Sequence, residues 1–183
     1  MKPLDGRQDY REVEEKMMGT ATTRRSGLDI TCGDITIALD IMREAASWLI
    51  DLGQPLWLLD DLTEGHILAD ITQDDVYVGW TGGKSAAAMI LQWQDPVFWP
   101  DAQDDSAFIH KLSVRRRFAG TGSACKMVGW AAEEARRRGK QFLRLDCAGD
   151  RPKLCAFYCG LGFRQTTRRM MGKFDVAFYE LCL

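Results

Sequence analysis

The hydrophobic pattern changes period several times along the chain, and each change marks an element. The first 26 residues carry no sustained apolar face; a short helix around Tyr10–Met18 is the most they predict before TATTRRSG breaks it. They are expected to form a polar extension, with residues 27–183 as one domain. Leu28–Cys32 reads as a short strand, Asp34 is suited to cap a helix over Ile35–Leu52, and Gly53 to stop it. Ile37, Ile41, Ala45, Trp48 and Leu52 recur every three or four residues, which predicts one buried helix face. Gln54–Leu68 reads as a shorter helical region. VYVGW and SAAAMILQW flank TGGK as a hairpin, its glycines supplying positive φ.

An acidic, aromatic loop from Gln94 to Ser106 precedes the strand AFIHKLSV. Thr121–Arg138 predicts a helix with Ala124, Val128, Ala131, Ala132 and Ala135 on one stripe, closed by Gly139. Glu133 with Arg137 and Glu134 with Arg138 have the favourable four-residue spacing. QFLRLDC reads as a strand, Pro152 opens a helix through Leu161, and Gly162 closes it. FRQTTRRMM and KFDVAFYELCL complete the chain as strands turning at Gly172 and Lys173. Strands and helices interleave throughout, which places the chain in the α/β (α+β) class.

Composition narrows the function classes. Lys plus Arg total 24 against 26 for Asp plus Glu, so the net charge of −2 gives no long-range pull toward nucleic acid or anionic lipid. No apolar run approaches the roughly 18 residues of a membrane span, and the charged opening is unlike a signal peptide, so a cytoplasmic protein is expected. The six cysteines show no C-x-x-C spacing and sit in apolar stretches such as LCAFYC, as reduced core thiols do. A metal set of Cys155 and Cys159 with Cys147 or His110 is set aside on that ground, and no metal is expected. GGKS resembles part of a P-loop, but Val78 stands where the required glycine belongs and a strand follows instead of a helix.

The segment that carries chemistry is IHKLSVRRRFAGTGSACKMVGW, a strand leading through an arginine- and glycine-containing turn into a helix. Unpaired N–H groups at a helix start bind phosphate oxygens; Gly120 and Gly122 allow close backbone approach, and Arg117 adds a permanent cation. Arg117-Phe118-Ala119-Gly120-Thr121-Gly122 resembles the R/Q-x-x-G-x-G/A pyrophosphate loop of the GNAT superfamily of acetyl-CoA-dependent N-acetyltransferases. The resemblance continues through LRLDC to LCAFYCGLGF, similar to the family's late helix with its tyrosine and terminal Gly-Phe. It covers residues 107–165 and, by element order, Leu28–Leu183.

The resemblance implies a mixed, strongly twisted sheet of six to seven strands flanked by helices, whose central parallel strands splay apart. Acetyl-CoA would lie in that gap, its pantetheine arm pairing with the backbone of Leu112 and Val114 beside Ser113, and its pyrophosphate on Arg117 through Ser123. Arg151 stands where many members have an asparagine, which replaces a pantetheine contact with a side chain able to reach a phosphate. Tyr158 is the expected acid at the departing sulfur. His110, read as having the parity of Leu112 and Val114, is the expected proton relay, with a cross-sheet structural histidine as the alternative. Trp57, Trp99, Asp101 and Asp104 border the acceptor side, where carboxylates over aromatic walls suit a cationic amine. The expected activity is acetyl transfer to a small primary amine; a peptide acceptor, a non-catalytic acyl-CoA-binding module and assembly as a homodimer stay open.

Overall fold

The computed structural model describes residues 27–183; the expected N-terminal extension and its short helix lie outside them. Seven strands, β1 (Asp29–Cys32), β2 (Val76–Thr81), β3 (Lys84–Gln92), β4 (Ser106–Val114), β5 (Phe142–Ala148), β6 (Arg164–Met171) and β7 (Phe174–Cys182), form one sheet. Its order is β1-β2-β3-β4-β5-β7-β6, antiparallel throughout except for the central β4–β5 pair. The helices are α1 (Ile35–Asp51), the single-turn α2 (Glu64–Ile67), α3 (Ser123–Arg137) and α4 (Pro152–Gly160). The mixed sheet flanked by helices is the expected architecture. Gln54–Leu68 forms only a three-residue turn of 3₁₀-helix and α2.

Helices cover both faces of the sheet, so its central strands have no polar side. Ala86 through Leu91 of β3 are all buried, with Ala87, Met89 and Leu91 packed toward α3 and Ala88 and Ile90 toward α1. In β2 the same alternation sends Tyr77 to the α3 core and Val76 and Val78 to the α1 core. The two cores lie on opposite faces of the sheet.

Local chemistry sets the helix ends. The Asp34 carboxylate accepts the Ile37 N–H at 3.1 Å, and beyond α1 the Gln54 N–H returns to the Leu49 carbonyl at 2.8 Å across Gly53 at φ +66°. The buried stripe of α1 is Ile35, Ala38, Leu39, Ile41, Met42 and Ala46, rotated from the expected one. Small residues let the helix axis approach the sheet, while Trp48 is half-buried under the Arg116 guanidinium, 3.6 Å from the ring centroid, and Leu52 is exposed. In α3 Val128, Ala131, Ala132 and Ala135 of the expected stripe are buried and joined by Met127, while Ala124 is half-buried and Arg137 pairs with Glu134 rather than Glu133. Glu134 also accepts from Arg138 at 2.9 Å, as its spacing predicts.

Gly79 shows how tightly α3 lies on the sheet. A Cβ there would stand 2.7 Å from the Met127 sulfur and 2.9 Å from Leu28 Cδ2, inside a core with both side chains fully buried. Gly79→Ala should therefore lower stability by about 1–3 kcal/mol in urea unfolding. An unchanged midpoint and slope would contradict this packing.

Candidate active site

The gap in the sheet begins where pairing stops. β4 and β5 are matched only from Ser106 with Phe142 to Ile109 with Leu145. Past that point β4 continues along β3 to Val114, and β5 along β7 to Ala148, so each strand keeps its outer partner while the inner edges part. The Arg115 N–H donates to the Ala86 carbonyl on the β3 side at 2.9 Å. By strand alternation, the backbone groups of Val114 and Leu112 then turn toward the gap.

A bulge in β4 decides which side chains meet there. Between the pairs Ala88–Ser113 and Ile90–His110, β4 has one residue more than β3. Lys111 absorbs it at φ +50°, the only positive φ at a non-glycine among the described residues, and its carbonyl accepts the Ser113 hydroxyl at 3.0 Å. The bulge reverses the expected parity of His110. Leu112 and Val114 pack toward α3, while His110 lies with Lys111 on the opposite face.

After β4 the chain makes a 3₁₀ turn, Arg116–Phe118, and enters α3 through Gly120 (φ +75°) and Gly122 (φ +80°). Neither glycine's absent Cβ would meet anything within 4 Å, so open space faces the helix start. The N–H groups of Ser123, Ala124 and Cys125 have no earlier carbonyl within the helix to bond. The Thr121 hydroxyl donates to the Phe118 carbonyl at 2.7 Å, and Ala119 continues the turn by donating its N–H to Arg116. Arg115 pins the turn to α1 through Glu44 at 2.7 Å and Asp40 at 2.5 Å, while Glu44 also takes the Arg116 N–H. Arg117 stays exposed, donating to the Ser85 carbonyl at 3.4 Å and lying over the Phe118 ring. This cradle fits a diphosphate: open, cationic and rich in N–H donors.

Four titratable groups converge at the gap. His110 Nδ1 lies 4.0 Å from Asp146 Oδ1, and Nε2 lies 3.6 Å from Asp95 Oδ2. Burial pushes the Asp146 carboxyl up to about 6, with the nearby Asp95 charge adding to the shift. Burial pushes His110 down, opposed by Asp95, and likewise pushes Lys111 down, opposed by Asp61 and Asp146. Tyr158, on α4, is 7% exposed with its ring against Phe157, Phe163 and Tyr179. Burial, then the neighbouring Cys147 and Asp146, push its phenol well up, so it holds its proton. Burial and Cys155 push the Cys147 thiol up to about 12, which leaves no thiolate nucleophile there.

The remaining expected residues divide. Trp57 stands over Lys111, 5.3 Å from its ammonium, on one wall of the gap. Trp99 packs between Phe108 and Phe178, and with Asp101 lines a cleft of about 230 Å³ whose floor includes Arg144 and Phe178. Phe178 is the cross-strand neighbour of Asp146. Asp104 is not at this site: it pairs with Lys140 beside the start of β5, the far end of the sheet from the gap. The Arg151 guanidinium donates to the Gln54 and Pro55 carbonyls at 3.0 and 2.7 Å, which ties α4 to the segment after α1 rather than leaving the group for a phosphate. Lys111 and Asp146 escaped the sequence reading because a lysine and an aspartate inside apolar strands carry no spacing signal of their own.

Comparison with known proteins places this geometry. The model of the acetyltransferase (GNAT) family matches residues 39–163. The uncharacterized N-acetyltransferase YesJ of Bacillus subtilis (strain 168) is 30% identical over 132 residues, 67% of this chain and 72% of the relative. A GNAT-family acetyltransferase from Listeria monocytogenes 4b F2365 superposes with a TM-score of 0.68 at 23% identity, covering 89% of this chain and 100% of the other. One from Elizabethkingia anophelis with acetyl-CoA bound gives 0.50 at 14%, covering 59% and 75%.

Asp146 makes the site's strain measurable. Its carboxyl keeps its proton to about pH 6 in the folded chain against 3.8 in a free one, so the native state binds more protons in between. Its ionisation penalty is therefore absent below about pH 4 and complete above about pH 6 to 7. Asp146→Asn should raise stability at pH 8 by up to about 3 kcal/mol, with the advantage vanishing near pH 4. A variant equally stable to wild type at both pH values would show that this carboxylate is not desolvated.

Proposed function

Because the chain belongs to the GNAT acetyltransferase family, we propose that it moves the acetyl group of acetyl-CoA onto the primary amine of a small molecule across the β4–β5 gap. The observation that carries this reading is the parting of the two strands beside an uncapped α3 start. It offers strand-edge backbone groups to the amides of a pantetheine arm and N–H donors to a diphosphate within one continuous surface. Acetyl-CoA supplies an activated thioester; the protein orients it and manages protons. Leu112 and Val114 hold the arm by their backbones, and Arg117, Gly120, Gly122 and Ser123 hold the diphosphate.

An acceptor amine with a solution pKa near 10 must lose a proton before it can attack. His110 and Asp146 stand at the gap to take it, and the protonated Tyr158 on the α4 side supplies a donor as the carbon–sulfur bond breaks. A small acceptor is favoured over a protein because both flanks of this face are occupied. Arg151 fastens the segment after α1 on one side, and Arg169, donating to the Phe98 carbonyl at 3.0 Å, fastens the 95–102 segment on the other. Trp57 and the Trp99–Phe178 cleft suit an amine with an apolar body.

Acetyl-CoA at 100 times its dissociation constant should stabilise the protein by about 2.7 kcal/mol, read as a rise in Tm. Gly120→Val should abolish the rise, since a branched side chain is strained at positive φ and projects into the phosphate space. No rise in the wild type would remove the cofactor assignment.

Tyr158→Phe should lower kcat by about two to four orders of magnitude with acetyl-CoA affinity retained. Turnover near wild type would return Tyr158 to a packing role. A panel of small amines and peptides, followed by thiol release, decides the acceptor. Turnover of peptides alone would overturn the small-molecule assignment, and turnover of nothing would favour a binding module.

A further inference from the structure

Asp95 does two things with its two oxygens. Oδ1 accepts the Phe98 N–H at 3.0 Å, closing the turn that starts the 95–102 segment. Oδ2 faces His110 Nε2 at 3.6 Å, and both atoms are shut off from solvent with no hydrogen-bond partner. The Asp95 side chain is 6% exposed. Two orphaned polar atoms buried against each other are costly unless a proton sits between them, and such contacts at catalytic sites commonly tighten when substrate enters. Asp146, reached from the other ring nitrogen, is 19% exposed and belongs to the open side of the cluster.

We propose that Asp95 is a positioning residue that holds His110 as the Nε2–H tautomer, so that Nδ1, beside Asp146, is the atom that takes the acceptor amine's proton. The inference rests on the acetyltransferase reading for its reaction and on Asp95 and His110 alone for its geometry. In the step, an N–H bond of the bound ammonium breaks, its electron pair stays on nitrogen as the nucleophile, and the proton moves to Nδ1. The amine is then neutral, and the imidazolium that forms is balanced by Asp95 at Nε2 and by Asp146 beside Nδ1. The groups facing His110 are Asp95 from the segment after β3, Lys111 from β4 and Asp146 from β5; Tyr158 from α4 and Asp61 lie beyond them.

A shared metal ion is the competing use of these three side chains, whose donor atoms all lie within 4.8 Å of one another. The 3.6 and 4.0 Å contacts run to opposite nitrogens of the His110 ring, and a single ion takes only one of them, so Asp95 and Asp146 do not flank a common donor atom. A proton shared by Nε2 and Asp95 Oδ2 needs their 3.6 Å separation to close to hydrogen-bond length, a side-chain adjustment of roughly half an ångström.

Asn is the discriminating substitution. Asp95→Asn keeps a carbonyl oxygen for the Phe98 N–H and so preserves the turn, but it presents an NH₂ donor where Nε2 needs an acceptor. Imidazole-nitrogen NMR reads the outcome directly, because the chain has only two histidines and the second, His66, is exposed on α2 and serves as control. Wild-type His110 above its titration range should show a protonated Nε2 and a bare Nδ1. In Asp95→Asn the tautomer should invert, the His110 titration should move to lower pH, and kcat/KM should fall by about 10² with KM for acetyl-CoA unchanged. The wild-type spectrum stands even if the variant fails to fold. A wild-type His110 protonated at Nδ1, or a folded Asp95→Asn protein with tautomer and kcat/KM unchanged, would overturn the proposal. Addition of zinc that shifts the His110 resonances stoichiometrically would overturn it in favour of the metal. If no amine is acetylated, the acetyltransferase reading fails while the tautomer still reports on Asp95.

Discussion

The hydrogen bonds that β4 and β5 do not make past Ile109 and Leu145 are the constraint on which the rest of the molecule depends. An open stretch inside a sheet leaves strong backbone donors and acceptors facing each other across a space, and a sheet tolerates it only if each strand is fixed elsewhere. Here the outer partners β3 and β7 continue past the parting, the bulge at Lys111 bends β4, and helices on both faces hold the strands in place. Arg115 with Asp40 and Glu44, and Arg151 with the Gln54 and Pro55 carbonyls, fasten the rim. The opening is thus a built feature between two well-anchored strands, and under the proposed function its unmade bonds go to a ligand that carries amides of its own.

The same bulge creates the chemistry. Without the extra residue, His110 would share a face with Leu112 and Val114. With it, His110 and Lys111 come to one face, opposite Asp146 and beneath Asp95. Burial disfavours the charged forms of the groups gathered there more than their opposite-sign neighbours favour them, so the Asp146 carboxyl shifts up and the His110 imidazole and Lys111 ammonium shift down. Under the proposed function, an incoming ammonium ion relieves the Asp95–Asp146 repulsion. The penalty of ionising Asp146 is the measurable cost of keeping that carboxyl buried in the gap.

The fold was largely legible in the sequence because its signals are local. Gly53, Gly82–Gly83, Gly139 and Gly162 each stand at positive φ where an element ends, and the arginine–glycine turn into α3 has the expected form. What was not legible depends on register. The α1 stripe was misplaced because helical spacing alone permits neighbouring faces, and contact with Val76, Val78 and Ile90 selects among them. His110 was assigned the wrong parity because a bulge leaves no composition signal when a lysine, rather than a glycine, occupies the positive φ. Asp104 looked like part of an acidic acceptor wall until the fold carried it to Lys140. Asp146 and Lys111 acquire meaning only from the gap between strands that are about 35 residues apart in sequence.

Amide hydrogen exchange, residue by residue with and without acetyl-CoA, tests the claim about the gap most directly. The account predicts that acetyl-CoA slows exchange at Leu112 and Val114 and at Gly122 through Cys125, while the amides that pair β5 with β7 stay as they were. Protection confined to other segments, or none at Val114 and the start of α3 under saturating ligand, would contradict it.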